Sequence, residues 1–270
     1  MKKLVMLVMT GWAVSAMGAN LASDNASNAA YNDGWQSGDN GGTGFGAWVI
    51  SFTSSSPDRN GAFVGSSANN GDPAPTGDID IDGESWGLYA NQLVGMSGPD
   101  IGVATAYRPF TGGELQINQT LTLQMDTGQV DSWMLGPGSV GFSLNRFSFF
   151  FASGSSEYSI GYGDPNSTLA LQSTGVPLTY DGLDLAFTRT GVDTYDFAIT
   201  PNGGSTTVIS GVMPETGGSL DSITFYNRTA GPGASHDVFF NDLEIVPEPS
   251  TIGLGLAGIL MLLVRRGKRA

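Results

Sequence analysis

Asp78-Ile79-Asp80-Ile81-Asp82-Gly83 places three aspartates at alternate positions before a glycine. This is the first half of an EF-hand loop, in which alternate carboxylates meet one Ca²⁺ and the glycine permits the turn. The twelfth position of such a loop should be a bidentate glutamate and is Tyr89 here, so the EF-hand reading fails. Two readings stay open for Asp78, Asp80 and Asp82. One is a calcium site of another kind, since three carboxylates on one strand face repel unless a cation or solvent intervenes. The other is a solvated edge strand, with Ile79 and Ile81 inward and the aspartates in water.

His236 is the only histidine, and there is no cysteine. Multi-histidine zinc sites, thiolate metal sites, disulfides and a cysteine nucleophile are therefore excluded. A Ser–His–acid triad would have to use His236, yet no G-x-S-x-G elbow accompanies it. Its setting, Gly231-Pro232-Gly233-Ala234-Ser235-His236-Asp237, is turn-like and marks a loop histidine. Gly38-Asp39-Asn40-Gly41-Gly42-Thr43-Gly44 has no lysine and no Walker pattern, so it reads as a flexible loop or turn. Sugar binding asks for exposed aromatic platforms beside hydrogen-bonding groups. Trp133, between Asp131-Ser132 and Gly136-Pro137, and Trp35, in an Asn- and Asp-rich stretch, are the candidate glycan contacts. Trp48 and Trp86 lie in apolar runs and belong to a core.

These residues need a scaffold, and the composition restricts it. Only 13% of the 270 residues are charged while 40 are glycine and 13 proline, which suits many short strands joined by turns and not a helical bundle. Six of the 11 basic residues sit in the first three and last six positions. Residues 20–246 carry 24 carboxylates against five arginines, a net charge of −19. A body so acidic repels nucleic acid and anionic lipid headgroups, so nucleic-acid binding is excluded.

The two ends read as addresses. Met1-Lys2-Lys3, the apolar run from Leu4 to Ala16 and the small residues to Ala19 have the layout of a secretory signal peptide over residues 1–19, cut after Ala16 or Ala19. At the other end Val246-Pro247-Glu248-Pro249-Ser250 precedes an uncharged apolar run, Ile252 to Val264, and then Arg265, Arg266, Lys268 and Arg269. That is a rigid joint, a transmembrane helix on the short side for a bilayer, and a basic stop. Positive charge stays cytoplasmic, which places the acidic body outside.

Pro247-Glu248-Pro249, the apolar segment and the arginine-rich end resemble the PEP-CTERM sorting signal of Gram-negative bacteria over residues 247–270. The resemblance implies recognition of Pro247, Glu248 and Pro249 by exosortase, a membrane cysteine transpeptidase, with Arg265 and Arg266 as the stop. It implies a transient anchor in the inner membrane, then delivery to the cell surface or the exopolysaccharide matrix. These residues would be substrate of another enzyme.

Residues 20–246 carry short apolar or alternating runs bounded by Gly, Pro, Asn, Asp and Ser. Leu115-Gln116-Ile117, Leu183 to Thr188 and Tyr195 to Ile199 alternate, as in an antiparallel sheet with one wet face. About a dozen such runs without a dividing linker predict an all-β fold, a single antiparallel β-sandwich flanked by the signal helix and the C-terminal transmembrane helix. The order of features, with Trp86-Gly87-Leu88-Tyr89-Ala90-Asn91 early and Asp237 to Ile245 as the closing strand, resembles concanavalin A-like or laminin G-like jelly rolls. Hydrolases on that fold typically show a Glu-x-Asp-x-x-Glu strand; none occurs, although Asp242 and Glu244 share a strand face. The expected function is therefore a non-catalytic, exported matrix protein that binds exopolysaccharide or another glycan and needs no cofactor. The alternatives are a carbohydrate-active enzyme on the same fold and a calcium-dependent structural module.

Overall fold

The computed structural model describes residues 20–54, 58–71, 78–91, 102–133, 136–162, 172–214 and 218–247, with Ser132, Trp133, Gly136 and Pro137 as backbone only. The signal segment, Glu248, Pro249, the apolar tail and its basic end lie outside the described residues.

Alternation in the sequence becomes alternation of faces. In Thr120–Thr127 the side chains of Leu121, Leu123 and Met125 are buried, and in Leu183–Arg189 those of Leu183, Leu185 and Phe187. One sheet of eight strands runs, in spatial order, β15 (Thr207–Val212), β14 (Thr194–Pro201), β13 (Leu183–Arg189), β6 (Thr120–Thr127), β17 (Val238–Val246), β4 (Ser85–Ala90) and β3 (Asn60–Gly65), with β1 (Ala22–Asp24) also on β17. The other, of seven strands, runs β12 (Gln172–Pro177), β11 (Glu157–Gly161), β10 (Ser148–Ala152), β9 (Ser139–Ser143), β16 (Ser222–Arg228), β5 (Val103–Pro109) and β2 (Val49–Phe52). A small hairpin pairs β7 (Ser132–Trp133) with β8 (Gly136–Pro137). Neighbours in both sheets are antiparallel. The described residues form an all-β, two-sheet sandwich.

The sheets meet through aromatic side chains. Phe147 lies 4.8 Å from Phe187, 5.1 Å from Tyr195 and 5.0 Å from Phe197, ring centre to ring centre. Phe225 on β16 stacks on Phe240 of β17 at 4.0 Å. Buried aromatics of this size dominate the energetics of a core, and such ring pairs add to area burial.

The first thirty residues of the body contain little regular structure yet are tightly held. The Arg108 guanidinium, wholly buried on β5, has an acceptor for each of its five N–H groups. Its Nη1 donates to Asp24 Oδ2 at 2.5 Å and to Tyr31 Oη at 3.4 Å, Nη2 to Gly41 O and Asn40 Oδ1, and Nε to Gly46 O. Tyr31 donates to Asp24 and accepts from Trp48 Nε1. Burial pushes the Tyr31 phenol well above its ordinary range, so it stays a donor. The guanidinium also faces the rings of Phe45 at 4.9 Å and Trp48 at 4.7 Å. The glycine-rich stretch is thus the loop and turn expected, but held in place rather than flexible. At Gly42, φ is +68° and an added Cβ would come within 2.0 Å of Ser23 O. Gly42→Ala is expected to cost about 1–3 kcal/mol from backbone conformation alone, with further loss as β1 is pushed off β17. Urea denaturation of the purified variant measures it.

Leu115-Gln116-Ile117 is not a strand. Asn118 has φ +67°, Gln119 N–H bonds Gln116 O, and Ile117 is exposed. The chain turns there before β6 begins.

Candidate functional site

Three adjacent strands of the eight-stranded sheet build a shallow groove of about 260 Å³ on its outer face. Their register sets two rows across the strands. Gln124 on β6, Asp184 on β13 and Thr200 on β14 are direct neighbours in one row. Thr122, Ala186 and Ala198 are neighbours in the next. The first row offers an amide, a carboxylate and a hydroxyl; in the second, two methyl groups leave the floor open. Gln124 Nε2 donates to Asp184 Oδ1 at 2.9 Å, which fixes both side chains.

Asp242 completes the rim from β17, and its placement depends on a β-bulge. The ladder between β17 and β6 slips between Asn241 and Glu244, and Asp242 has φ +48°. A bulge re-aims a side chain that strict alternation would turn the other way. Asn241 holds the bulge from beneath, its amide donating to Ile79 O and Glu84 O and its Oδ1 accepting from Ala26 N. Burial raises the Asp242 carboxyl, and the charge of Asp184 raises it further. Burial, then the charge of Asp242, raises Glu244 next to it. Among the described residues no basic side chain lines the groove. Carboxylate, amide and hydroxyls in a row beside a methyl floor can accept and donate hydrogen bonds to a polyhydroxylated ring.

A second hollow, of about 350 Å³, lies at the pole where Leu21 and Ile245 meet the 110–116 turn. Its polar groups are engaged: Gln119 Oε1 accepts from Gln116 N–H, and Glu114 pairs with Arg189 at 3.1 Å. Thr200 Oγ1 in the sheet groove is engaged as well, 2.8 Å from Thr206 Oγ1, so the groove is preferred for its row of neighbouring polar side chains beside a methyl floor.

The structure disperses most residues singled out in the sequence. Trp35 is 3% exposed, packed edge-on to Trp48 at 5.0 Å and beside Trp86 at 6.0 Å, so it is core and offers no platform to a glycan. The Trp133 side chain lies outside the described residues. Asp78, Asp80 and Asp82 do not form the edge strand that alternation suggested. Ile79 is buried, Asp80 Oδ1 accepts from Ser67 N–H, and Asp82 and Gly83, at φ +54° and +83°, close a tight turn between Ile81 and Glu84. Among the described residues no three acidic or histidine side chains gather where a metal ion could sit. Pro247 follows directly on the last residue of β17.

His236 ends a short 3₁₀ turn, Ala234–His236, with its ring buried. Ser235 Oγ lies 3.1 Å from Nδ1, and Asp131 Oδ2 lies 3.0 Å from Nε2. The row contains the residue types of a triad in reversed order, with the hydroxyl one residue away on Nδ1. Gly231 lies flat on the ring, where a Cβ would come within 2.2 Å of Cδ2. These contacts pin the turn before β17 to the loop after β6.

The fold and groove define a β-sandwich protein with a polar hollow on one sheet face. No family model matches the chain, and no curated protein does. Among solved structures it is similar to a carbohydrate esterase of the Shiga toxin-encoding bacteriophage phi24B, at 12% identity over 74% of this chain and 90% of that one, with a TM-score of 0.41. It is also similar to peanut lectin solved with a nine-residue peptide, at 10% identity over 74% of this chain and 99% of that one, TM-score 0.37. The receptor-binding domain of botulinum neurotoxin D is 10% identical over 76% of this chain and 49% of that one, TM-score 0.42. None of these likenesses is close enough to carry a function across.

Proposed function

We propose that this chain is an exported cell-surface or matrix protein, sorted by exosortase through its C-terminal tail, whose concanavalin A-like jelly-roll body binds a glycan without cleaving it. The sorting half rests on the sequence: a signal-peptide layout at one end, and Pro247-Glu248-Pro249, an apolar run and four cations at the other. Intact mass of the native protein tests it. Loss of residues 1–19 and of the tail is expected; a cytoplasmic species retaining both ends overturns it.

The observation that carries the binding half is the two-row groove, with Gln124, Asp184 and Thr200 beside a floor of Ala186 and Ala198. Ala186→Trp fills the floor from an outward-facing position and leaves the core side of β13 untouched. Retention on immobilised exopolysaccharide from the same organism is expected to fall by 10-fold or more, about 1.4 kcal/mol or above, with the melting temperature nearly unchanged. Equal retention of variant and parent overturns the groove as the site. The enzyme alternative draws on Asp184 and Asp242, two carboxylates close enough for the charge of one to raise the other. It requires a falling polysaccharide mass, which Asp242→Asn would abolish.

A further inference from the structure

We propose that the protein self-associates through the open edge of β15, two copies pairing antiparallel about Ser210 to continue the eight-stranded sheet across both bodies. β15 is an edge strand, and among the described residues nothing pairs with its outer side. Its burial alternates strictly, leaving Val208 61% and Val212 66% exposed, with Val192 64% exposed in the turn beside them.

The backbone is set for pairing. Met213 N–H donates to Asp193 O directly opposite it, and the ladder continues as Gly211 to Tyr195 and Ile209 to Phe197. In an antiparallel ladder the residues that exchange bonds with one neighbour alternate with those that face away. Val208, Ser210 and Val212 therefore turn their N–H and C=O groups to the open edge.

The segment is self-complementary. A two-fold axis at Ser210 sets Ser210 against its copy and Val208 against Val212 of the second chain, twice, on one face. Such isologous pairing closes at two copies, and β-branched cross-strand pairs stabilise it.

The edge strand itself carries no charge, although Asp196 lies opposite Ser210 on β14 and accepts from its hydroxyl at 2.6 Å. Each body carries a net −19, so two copies repel over most of their surfaces. No charged residue lies between Asp196 and Glu215. Natural edge strands are usually guarded by lysine, proline or a bulge; Thr207–Val212 has none of these and pairs with β14 in unbroken register. A strand of six residues buries less than the roughly 1,200 Å² of a stable complex. The free dimer is accordingly weak, with a dissociation constant on the order of 10⁻⁵–10⁻³ M. Copies crowded at a surface reach millimolar effective concentrations.

The chain lacks cysteine, so one introduced thiol reports on one place. Paired Cα atoms at a hydrogen-bonded position lie about 5.5 Å apart, within disulfide reach. Full-length Ser210→Cys under mild oxidation is expected to give a covalent dimer on a non-reducing gel, and Thr111→Cys, on an exposed turn elsewhere, is not. Sedimentation of the full chain in mild detergent should show the dimer strengthening between about 0.1 M and 1 M salt, as the screening length falls from about 10 Å to 3 Å. Val208→Lys with Val212→Lys should remove that dimer. Equal cross-linking of the two cysteine variants, or association that survives both lysines, overturns the proposal and assigns any dimer to the apolar tail.

Discussion

Arg108→Ala is expected to lower stability by about 3–5 kcal/mol, the range for removing one partner of a buried ion pair. The Asp24 side chain is as fully buried as that of Arg108, so the variant leaves a carboxylate without its counter-charge inside the sandwich. It also empties the space between Phe45 and Trp48 and leaves Gly41 O and Gly46 O without donors. The loss belongs to the strap, residues 20–48, which has few strand bonds of its own and is tied to β5 by this side chain and by Gly46 N–H donating to Pro109 O. In a chain of this size the cost corresponds to a drop in melting temperature of about 6–20 °C. Asp24→Asn combined with Arg108→Met removes both charges and is expected to recover most of it, because replacing a whole buried pair by apolar or neutral groups is often nearly neutral. A single variant that melts with the parent would contradict this account of the strap.

The pH dependence of stability is expected to run opposite to that of most proteins. Asp126, 1% exposed on β6, is pushed up to about 8, chiefly by burial. Its Oδ1 accepts from Asn70 Nδ2, whereas Oδ2 is buried with no hydrogen-bond partner. Burial pushes Asp237 up to about 7. An unfolded aspartate ionises near 4, so between about pH 4 and pH 8 the folded protein holds protons that the unfolded chain has released. Stability therefore falls as pH rises through that interval and levels off above it. Half of the indicated displacement of Asp126 alone is worth about 3 kcal/mol at about 1.4 kcal/mol per unit. Asp126→Asn keeps an acceptor for Asn70 and cannot ionise. It is expected to be the more stable protein at pH 8, by about 1–3 kcal/mol, and to flatten the profile. Urea midpoints from pH 5 to pH 8 measure both. A parent midpoint that rises across that range would contradict the assignment.

Much of the sandwich was legible because apolar alternation is the direct imprint of a half-buried strand. β13, β14 and β17 lie within a residue or two of where their patterns put them. β3 and β12 left no such imprint. Asn60–Gly65 contains two glycines, one of which makes room for the Tyr89 ring, and Gln172–Pro177 has Val176 as its only large aliphatic residue. Tertiary packing decided Trp35: its polar neighbours in sequence suggest exposure, but Trp48 from the end of the same strap and Trp86 from β4 enclose it. The aspartate repeat misled because Ile79 and Ile81 mimic strand alternation while Asp82-Gly83 supplies the backbone of a tight turn. The groove had no signal to find. Gln124, Asp184 and Thr200 become neighbours only through the register of three strands, and Asp242 reaches them only through a bulge.

The central claim, a body that binds matrix polysaccharide without cutting it, is tested most directly by light scattering. Purified protein is mixed with exopolysaccharide from the same organism and the polymer mass is followed for several hours. A rise that Ala186→Trp abolishes is the predicted result. A falling mass, or a mass unchanged at every protein concentration, would contradict it.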